Sequence, residues 1–124
     1  MMSPQQGDRD PNTAVVHLTE QTFDESLAAA EGVWMVDFWA PWCPPCRAIA
    51  PVLEELALAS KGDVTLAKVN VDEQPALAAR YEIRSIPTIL FVKDGKVADQ
   101  AIGAVPKAQI QAKLAALGAV AVES

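Results

Sequence analysis

Only two cysteines, Cys43 and Cys46, and one histidine, His17, occur in the 124 residues. A structural zinc centre takes about four ligands. The C-x-x-C pair supplies two, so a zinc site would have to be shared between two chains. Basic residues are in the minority. The net charge is −6 and the isoelectric point about 4.6. That argues against a nucleic-acid binder, whose footprint is a basic face, and favours a self-repelling, soluble monomer. No apolar run reaches the roughly 18 residues of a membrane helix. The richest, 33–40, is interrupted by Asp37. The N-terminus, MMSPQQGDRDP, lacks the basic start and apolar block of a signal peptide. The expected location is the cytoplasm, unless an export signal has been removed.

What is present is enough for one domain. The chain has a mass of 13.2 kDa, 51% apolar and 21% charged residues, and a mean hydropathy of +0.14. A disordered chain is excluded by that composition. A domain of this size buries roughly two-thirds of its unfolded surface and folds without staples. Residues 1–13 carry no apolar periodicity and read as a disordered tail. Residues 14–118 read as the domain and 119–124 as a short C-terminal tail.

Within the domain, 14–18 is a short strand. Thr22 and Glu25 form a T-x-x-E capping box that opens a helix, and Gly32 ends it. Residues 33–40 carry the near-continuous apolar sequence of a strand covered on both faces. A second helix begins around Cys43, with Ile49, Val52, Leu53 and Leu56 on one face and Pro51 inside it, where a bend is expected. A strand at 63–71, a short helix at 72–81 and a hairpin at 88–102 with an Asp94-Gly95 turn follow. Pro106 opens the last helix and Gly118 closes it. The order β-α-β-α-β-α-β-β-α predicts an α/β fold, with a central mixed sheet of about five strands flanked by four helices. In such sheets ligands gather beyond the carboxyl ends of the strands. Trp42-Cys43-Pro44-Pro45-Cys46 lies just there.

The C-x-x-C spacing has a physical purpose. Helix positions three apart share a face, so the two sulfurs can meet. Cys43, at the helix start, has unpaired N–H groups and the helix dipole to favour its thiolate. The thiolate is the nucleophile of thiol–disulfide exchange. Cys43 is therefore expected to attack a disulfide, and Cys46, one turn deeper and more shielded, to resolve the mixed disulfide. Inert core cysteines are the bland alternative. In a reducing compartment, two neighbouring cysteines read as chemistry rather than as a staple.

The segment Val36-Asp37-Phe38-Trp39-Ala40-Pro41-Trp42-Cys43-Pro44-Pro45-Cys46-Arg47 resembles the active-site segment of the thioredoxin family. The likeness continues through Ile49-Ala50-Pro51, through 67–72, through Tyr81-Glu82-Ile83-Arg84-Ser85-Ile86-Pro87-Thr88, Asp94-Gly95 and Gly103-Ala104. It implies a thioredoxin-like fold and a thiol–disulfide oxidoreductase, a general protein-disulfide reductase. Pro87 is then a cis-proline beside the cysteines. Ile86 offers backbone groups to an extended substrate segment, and Trp42, Ile102 and Gly103 complete a shallow apolar groove. Asp37 resembles the family's buried acid, which assists deprotonation of Cys46 through water, with Lys68 as its partner. A carboxylate in a strand covered on both faces is costly unless neutral or paired, and burial raises its pKa. The plain alternatives are a core acid without catalytic part for Asp37 and a snorkelling strand residue for Lys68. Trp39 reads as half core, half site wall.

The chain carries no cofactor-binding motif and no metal set. The resemblance implies electrons from NADPH through a separate flavin-dependent enzyme, thioredoxin reductase, and disulfide-bearing proteins as substrates. Pro44 stands where the family usually has glycine. With Pro45 it stiffens the turn and removes two N–H groups near the sulfurs, effects that act oppositely on the reduction potential. Pro44-Pro45 is also similar to tryparedoxin and nucleoredoxin, longer relatives that keep an electron-carrier reading open. A thiol oxidase or isomerase working outside the cytosol, and a redox-inert adaptor on the same fold, stay open beside it.

Overall fold

The computed structural model describes residues 9–10 and 15–119. Most of both expected tails lies outside the described residues. The elements are β1 (Arg9–Asp10), β2 (Val15–His17), α1 (Phe23–Ala28), β3 (Val33–Trp39), α2 (Pro44–Ala59), β4 (Val64–Asn70), α3 (Pro75–Arg80), β5 (Thr88–Lys93), β6 (Lys96–Ile102) and α4 (Lys107–Ala116). The strands form one sheet in the order β1-β2-β4-β3-β5-β6. β2, β4 and β3 run parallel, and β1, β5 and β6 are antiparallel to their neighbours. The α/β mixed sheet with four helices is the expected architecture. The strand beyond the expected five is β1, which pairs with β2 where an unstructured tail was expected. Pairing satisfies backbone groups that β2 would otherwise leave open at the sheet edge.

β3 is central, and its two faces explain the layers. Val33 and Met35 pack with Ile49, Leu53, Ile110 and Leu114, which belong to α2 and α4. Val36 and Phe38 pack with Phe23, Leu27 and Leu77, which belong to α1 and α3. Met35, Leu53 and Phe91 are completely buried, each contributing about 1.5–3 kcal/mol of transfer free energy. The near-continuous apolar run of β3 is thus the signature of a strand with helices on both faces.

Local chemistry departs from the sequence reading at a few element ends. Thr22 is the N-cap of α1, as expected, but its hydroxyl pairs with Thr19, one turn earlier, and not in a box with Glu25. Thr19 Oγ1 accepts from the Thr22 N–H at 3.2 Å, and Thr22 Oγ1 accepts from the Thr19 N–H at 3.0 Å. Two threonines three apart satisfy each other's orphan donors as Thr and Glu would. Gly32 lies beyond the end of α1. Its N–H donates to Asp94 Oδ1 at 2.9 Å and its carbonyl accepts from the Asp94 N–H, tying β3 to the β5–β6 turn. α2 runs through Pro51 without ending. Gly118 does close α4, with Ala119 N–H bonded to the Leu114 carbonyl and Gly118 N–H to that of Ala115.

Candidate active site

β3 runs out at Trp39, and a turn at 40–43 delivers the chain to α2. The Cys43 N–H donates to the Ala40 carbonyl at 3.2 Å. Cys43 is the N-cap of α2, in extended conformation, and Pro44 and Pro45 fill the first two helical positions. Those positions have no intrahelical partner for their N–H groups in any case, so two prolines fit there. The first remaining donor is the Cys46 N–H, and it points at Cys43 Sγ, 3.2 Å away. The side chain that caps the helix is therefore a sulfur. The two cysteines are joined in a disulfide, with Cα atoms 5.3 Å apart.

The expected contrast in exposure between the two cysteines is absent. Cys43 is 3% exposed and Cys46 2%. Ala40 shares their cluster, and Trp39, Val71 and Ile86 pack against it. The two sulfurs differ instead in their neighbours. Cys43 Sγ lies 3.8 Å from the carbonyl oxygen of Ile86, the residue at the edge of the groove described below.

Asp37 sits two residues before Trp39 on the α2-facing side of β3. It is completely buried, and neither carboxylate oxygen has a hydrogen-bond partner among the described residues. Burial pushes its pKa up to about 7, against a smaller lowering by the Lys68 charge. Lys68 is its direct neighbour across the β3–β4 pair. The expected pairing is only partial, however. The Lys68 ammonium forms no ion pair with the carboxylate and lies over the Trp39 ring, 4.5 Å from its centroid. A half-buried lysine stem carries its ammonium past the buried acid, and the ring face is the stabilising surface it meets. The Trp39 indole N–H is itself buried without a partner among the described residues, so two orphan polar groups lie on one side of β3, and Trp39 packs against the cysteines.

A shallow groove of about 270 Å³ runs along this end of the sheet, lined by Trp42, Val71, Ala78, Ile83, Arg84 and Ile86. Trp42 is 62% exposed, and its indole N–H donates to Asp72 Oδ2 at 2.7 Å, which fixes the ring as one wall. The Ile86–Pro87 peptide bond is cis, the form the resemblance implied. The Pro87 carbonyl accepts from the Gly103 N–H at 2.8 Å. Ile102 does not join Trp42 in the groove. It lines an adjoining hollow of about 200 Å³ with Tyr81, Arg84, Ser85 and Gln100.

Residues 14–116 match the family model for thioredoxin. The chain belongs to the thioredoxin family. It is 51% identical over 96 residues to Thioredoxin 2 of Chlorobaculum tepidum, covering 77% of this chain and 88% of that one. To Thioredoxin 1 of a Nostoc strain it is 43% identical over 102 residues, 82% of this chain and 95% of that one. To the chloroplastic M-type thioredoxin of Pisum sativum it is 46% identical over 106 residues, 86% of this chain and 62% of that longer protein. This thioredoxin-family chain is accordingly a thiol–disulfide oxidoreductase with a redox-active cysteine pair, a family that acts on disulfides and needs no bound cofactor.

The sequence reading of this thioredoxin-family site missed several wall residues. Asp72 ends the 67–72 segment, and an acid just past a strand terminus was its only signal. Ile83 and Arg84 lay in the quoted 81–88 segment without a role. Nothing in the sequence marked Ala78. Among the described residues no three His, Cys, Asp or Glu side chains come together as a metal set, and no helix is long and apolar enough to cross a membrane.

Proposed function

We propose that this protein is a general protein-disulfide reductase of the cytoplasm. The observation that carries the reading is Cys43 Sγ at the N-cap of α2, accepting the Cys46 N–H at 3.2 Å beside an apolar groove. That geometry stabilises a thiolate on Cys43 by a charge-assisted hydrogen bond and by the helix dipole.

In the reduced form Cys43 is the nucleophile. Its thiolate attacks one sulfur of a substrate disulfide, forming a mixed disulfide, and the departing substrate thiolate takes up a proton. Cys46 then gives its proton to the Asp37 carboxylate through water, and its thiolate attacks Cys43 Sγ. The second substrate thiolate leaves and takes up a proton, and Asp37 returns its own to solvent. The substrate gains two electrons and two protons, and the protein ends as the Cys43–Cys46 disulfide. Cys46 is held at high effective concentration, so resolution needs no diffusion.

Asp37 suits this role because its pKa of about 7 lets it accept a proton near neutral pH. Lys68 tunes that acid through its charge, and Trp39, which lies under the Lys68 ammonium and packs against the cysteines, is half core and half site wall. Pro44 and Pro45 leave the Cys46 N–H as the donor to the sulfur. The groove with Trp42 and Ile86 seats an extended substrate segment by strand-like pairing beside Pro87, with Ile102 in the adjoining hollow and Gly103 bonded to the Pro87 carbonyl. Electrons return from NADPH through a separate flavin-dependent thioredoxin reductase. The net charge of −6 fits a monomer.

The test is a trapping experiment. Cys46→Ser accumulates covalent adducts with protein substrates, seen on a non-reducing gel and lost on adding dithiothreitol. Cys43→Ser forms almost none. Equal trapping by both, or trapping by Cys43→Ser alone, overturns the assignment of nucleophile and resolver. Failure of the wild-type protein to reduce insulin with a dithiol donor overturns the reductase reading itself.

A further inference from the structure

One wall of the groove that Trp42 lines is built from the end of one short helix. Ala78 and Ile83 both line the groove. The Ile83 N–H donates to the Ala78 carbonyl at 2.9 Å and the Glu82 N–H to the Ala79 carbonyl at 3.1 Å, which closes α3. Glu82 occupies the left-handed position of that closure, with φ at 54°, where glycine is the favoured residue. A helix of six residues has little stability of its own. Something outside the helix must hold this wall in place.

α3 is tied at both ends to the α1 region. At its start, the Glu20 N–H donates to Gln74 Oε1 at 2.9 Å, and the Ala76 N–H donates to Glu20 Oε2 at 2.8 Å. At its end, Arg80 grips Asp24 with both terminal nitrogens, at 2.6 and 3.3 Å. The same guanidinium lies 5.6 Å from the Phe23 ring centroid and 5.8 Å from that of Tyr81. Tyr81 in turn packs on Phe23 and Phe38, at 5.4 and 6.0 Å between centroids. Arg80 does not line the groove. An exposed ion pair contributes little to stability, but a planar fork that also lies over two rings fixes direction.

We propose that Arg80, held by Asp24 and lying over Phe23 and Tyr81, is a positioning residue that sets the Ala78–Ile83 wall of the groove for protein substrates. The inference rests on the reading of that groove as the substrate seat. A small disulfide reaches the cysteines without filling the groove, so its reduction does not depend on the wall.

The test uses the full chain, pre-reduced and mixed with increasing insulin or with hydroxyethyl disulfide. Arg80→Ala and Asp24→Ala are expected to raise the half-saturating insulin concentration about threefold to tenfold, the size of a modest binding contribution. The limiting rate and the rate with hydroxyethyl disulfide stay unchanged. The exchanged pair, Asp24→Arg with Arg80→Asp, recovers part of the insulin affinity. If Arg80→Ala fails to fold, Asp24→Asn removes the charge at similar shape and the same rise is expected. A lowered unfolding midpoint with an unchanged half-saturating concentration makes the pair merely structural and overturns the inference. Equal slowing on insulin and on the small disulfide overturns it too. A wild-type protein that reduces no insulin instead refutes the function reading on which the inference stands.

Discussion

Replacing Asp37 by asparagine removes the ionisable group from a completely buried position on β3. The carboxyl is completely buried, without a hydrogen-bond partner, and its pKa is raised from 3.8 to about 7. Because the folded value lies above the unfolded one, the folded state holds the extra proton between the two. Stability therefore falls as pH rises from about 4 to about 7 and levels off above. At about 1.4 kcal/mol per pKa unit, the ionised carboxylate destabilises the fold at pH 8 by about 4 kcal/mol. Asp37→Asn carries no such dependence. Urea denaturation of the oxidised proteins, followed by tryptophan fluorescence from about pH 4 to 8, gives the stability difference at each pH. Titrations elsewhere in the chain cancel in that difference. The variant should gain on wild type by about 4 kcal/mol across the range. A difference that stays flat from pH 5 to 8 (the interval in which most of the titration falls) would refute the reasoning.

The same variant should slow resolution of the mixed disulfide, most of all near pH 7–8, where the raised carboxyl is ionised but an ordinary thiol, with pKa about 8.5, is not. Rapid-mixing rates that are equal for both proteins in that range speak against a proton acceptor at Asp37. Glu82→Gly relieves a left-handed conformation, at φ 54°, that disfavours a side chain by about 1–2 kcal/mol, part of it offset by added chain entropy. The expected gain is about 0.5–1 kcal/mol, read as a higher thermal midpoint; a lower midpoint contradicts it. Gly95→Ala does the opposite. Gly95 has φ 87°, and a Cβ there would stand 2.7 Å from the Leu27 carbonyl oxygen, a backbone atom that cannot simply turn away. A loss of about 2 kcal/mol or more is expected, and an unchanged urea midpoint rules it out.

Hydrophobic pattern and turn chemistry made most of the fold legible. The apolar run 33–40 pointed to a doubly covered strand, and Asp94-Gly95, both at positive φ, marked the hairpin turn. The likeness to a family named Lys68 as the partner of Asp37, and the strand register sets the two side by side, but it did not give the path of a four-carbon side chain, and so not its place over Trp39. The likeness to a family located the cis bond at Pro87, which propensity alone does not. Burial of Cys43 was not legible, because its cover comes from Ile86, 43 residues away. Thr22 was legible as the N-cap of α1, but its pairing with Thr19 was not, because Thr19 and Glu25 both stand three residues from it and sequence alone does not rank them. At the end of α3 the usual glycine signal is missing, since glutamate occupies the left-handed position.

The antiparallel return of β5 brings its beginning beside the end of β3. The site consequently draws on three separated stretches of chain, around Cys43, Asp72 and Ile86. None of them encloses anything by itself. A ribosome-bound chain that ends before Ile86 carries both cysteines, yet it lacks one wall of the groove proposed to seat substrates. On that proposed reading, selectivity arises late in synthesis, after the long-range strand pairings that are slow to form. Proteolytic fragments lacking β5 should retain thiol reactivity without preference. On the same reading, choosing a partner is a property of the completed sheet, whereas nucleophilicity belongs to a single helix start.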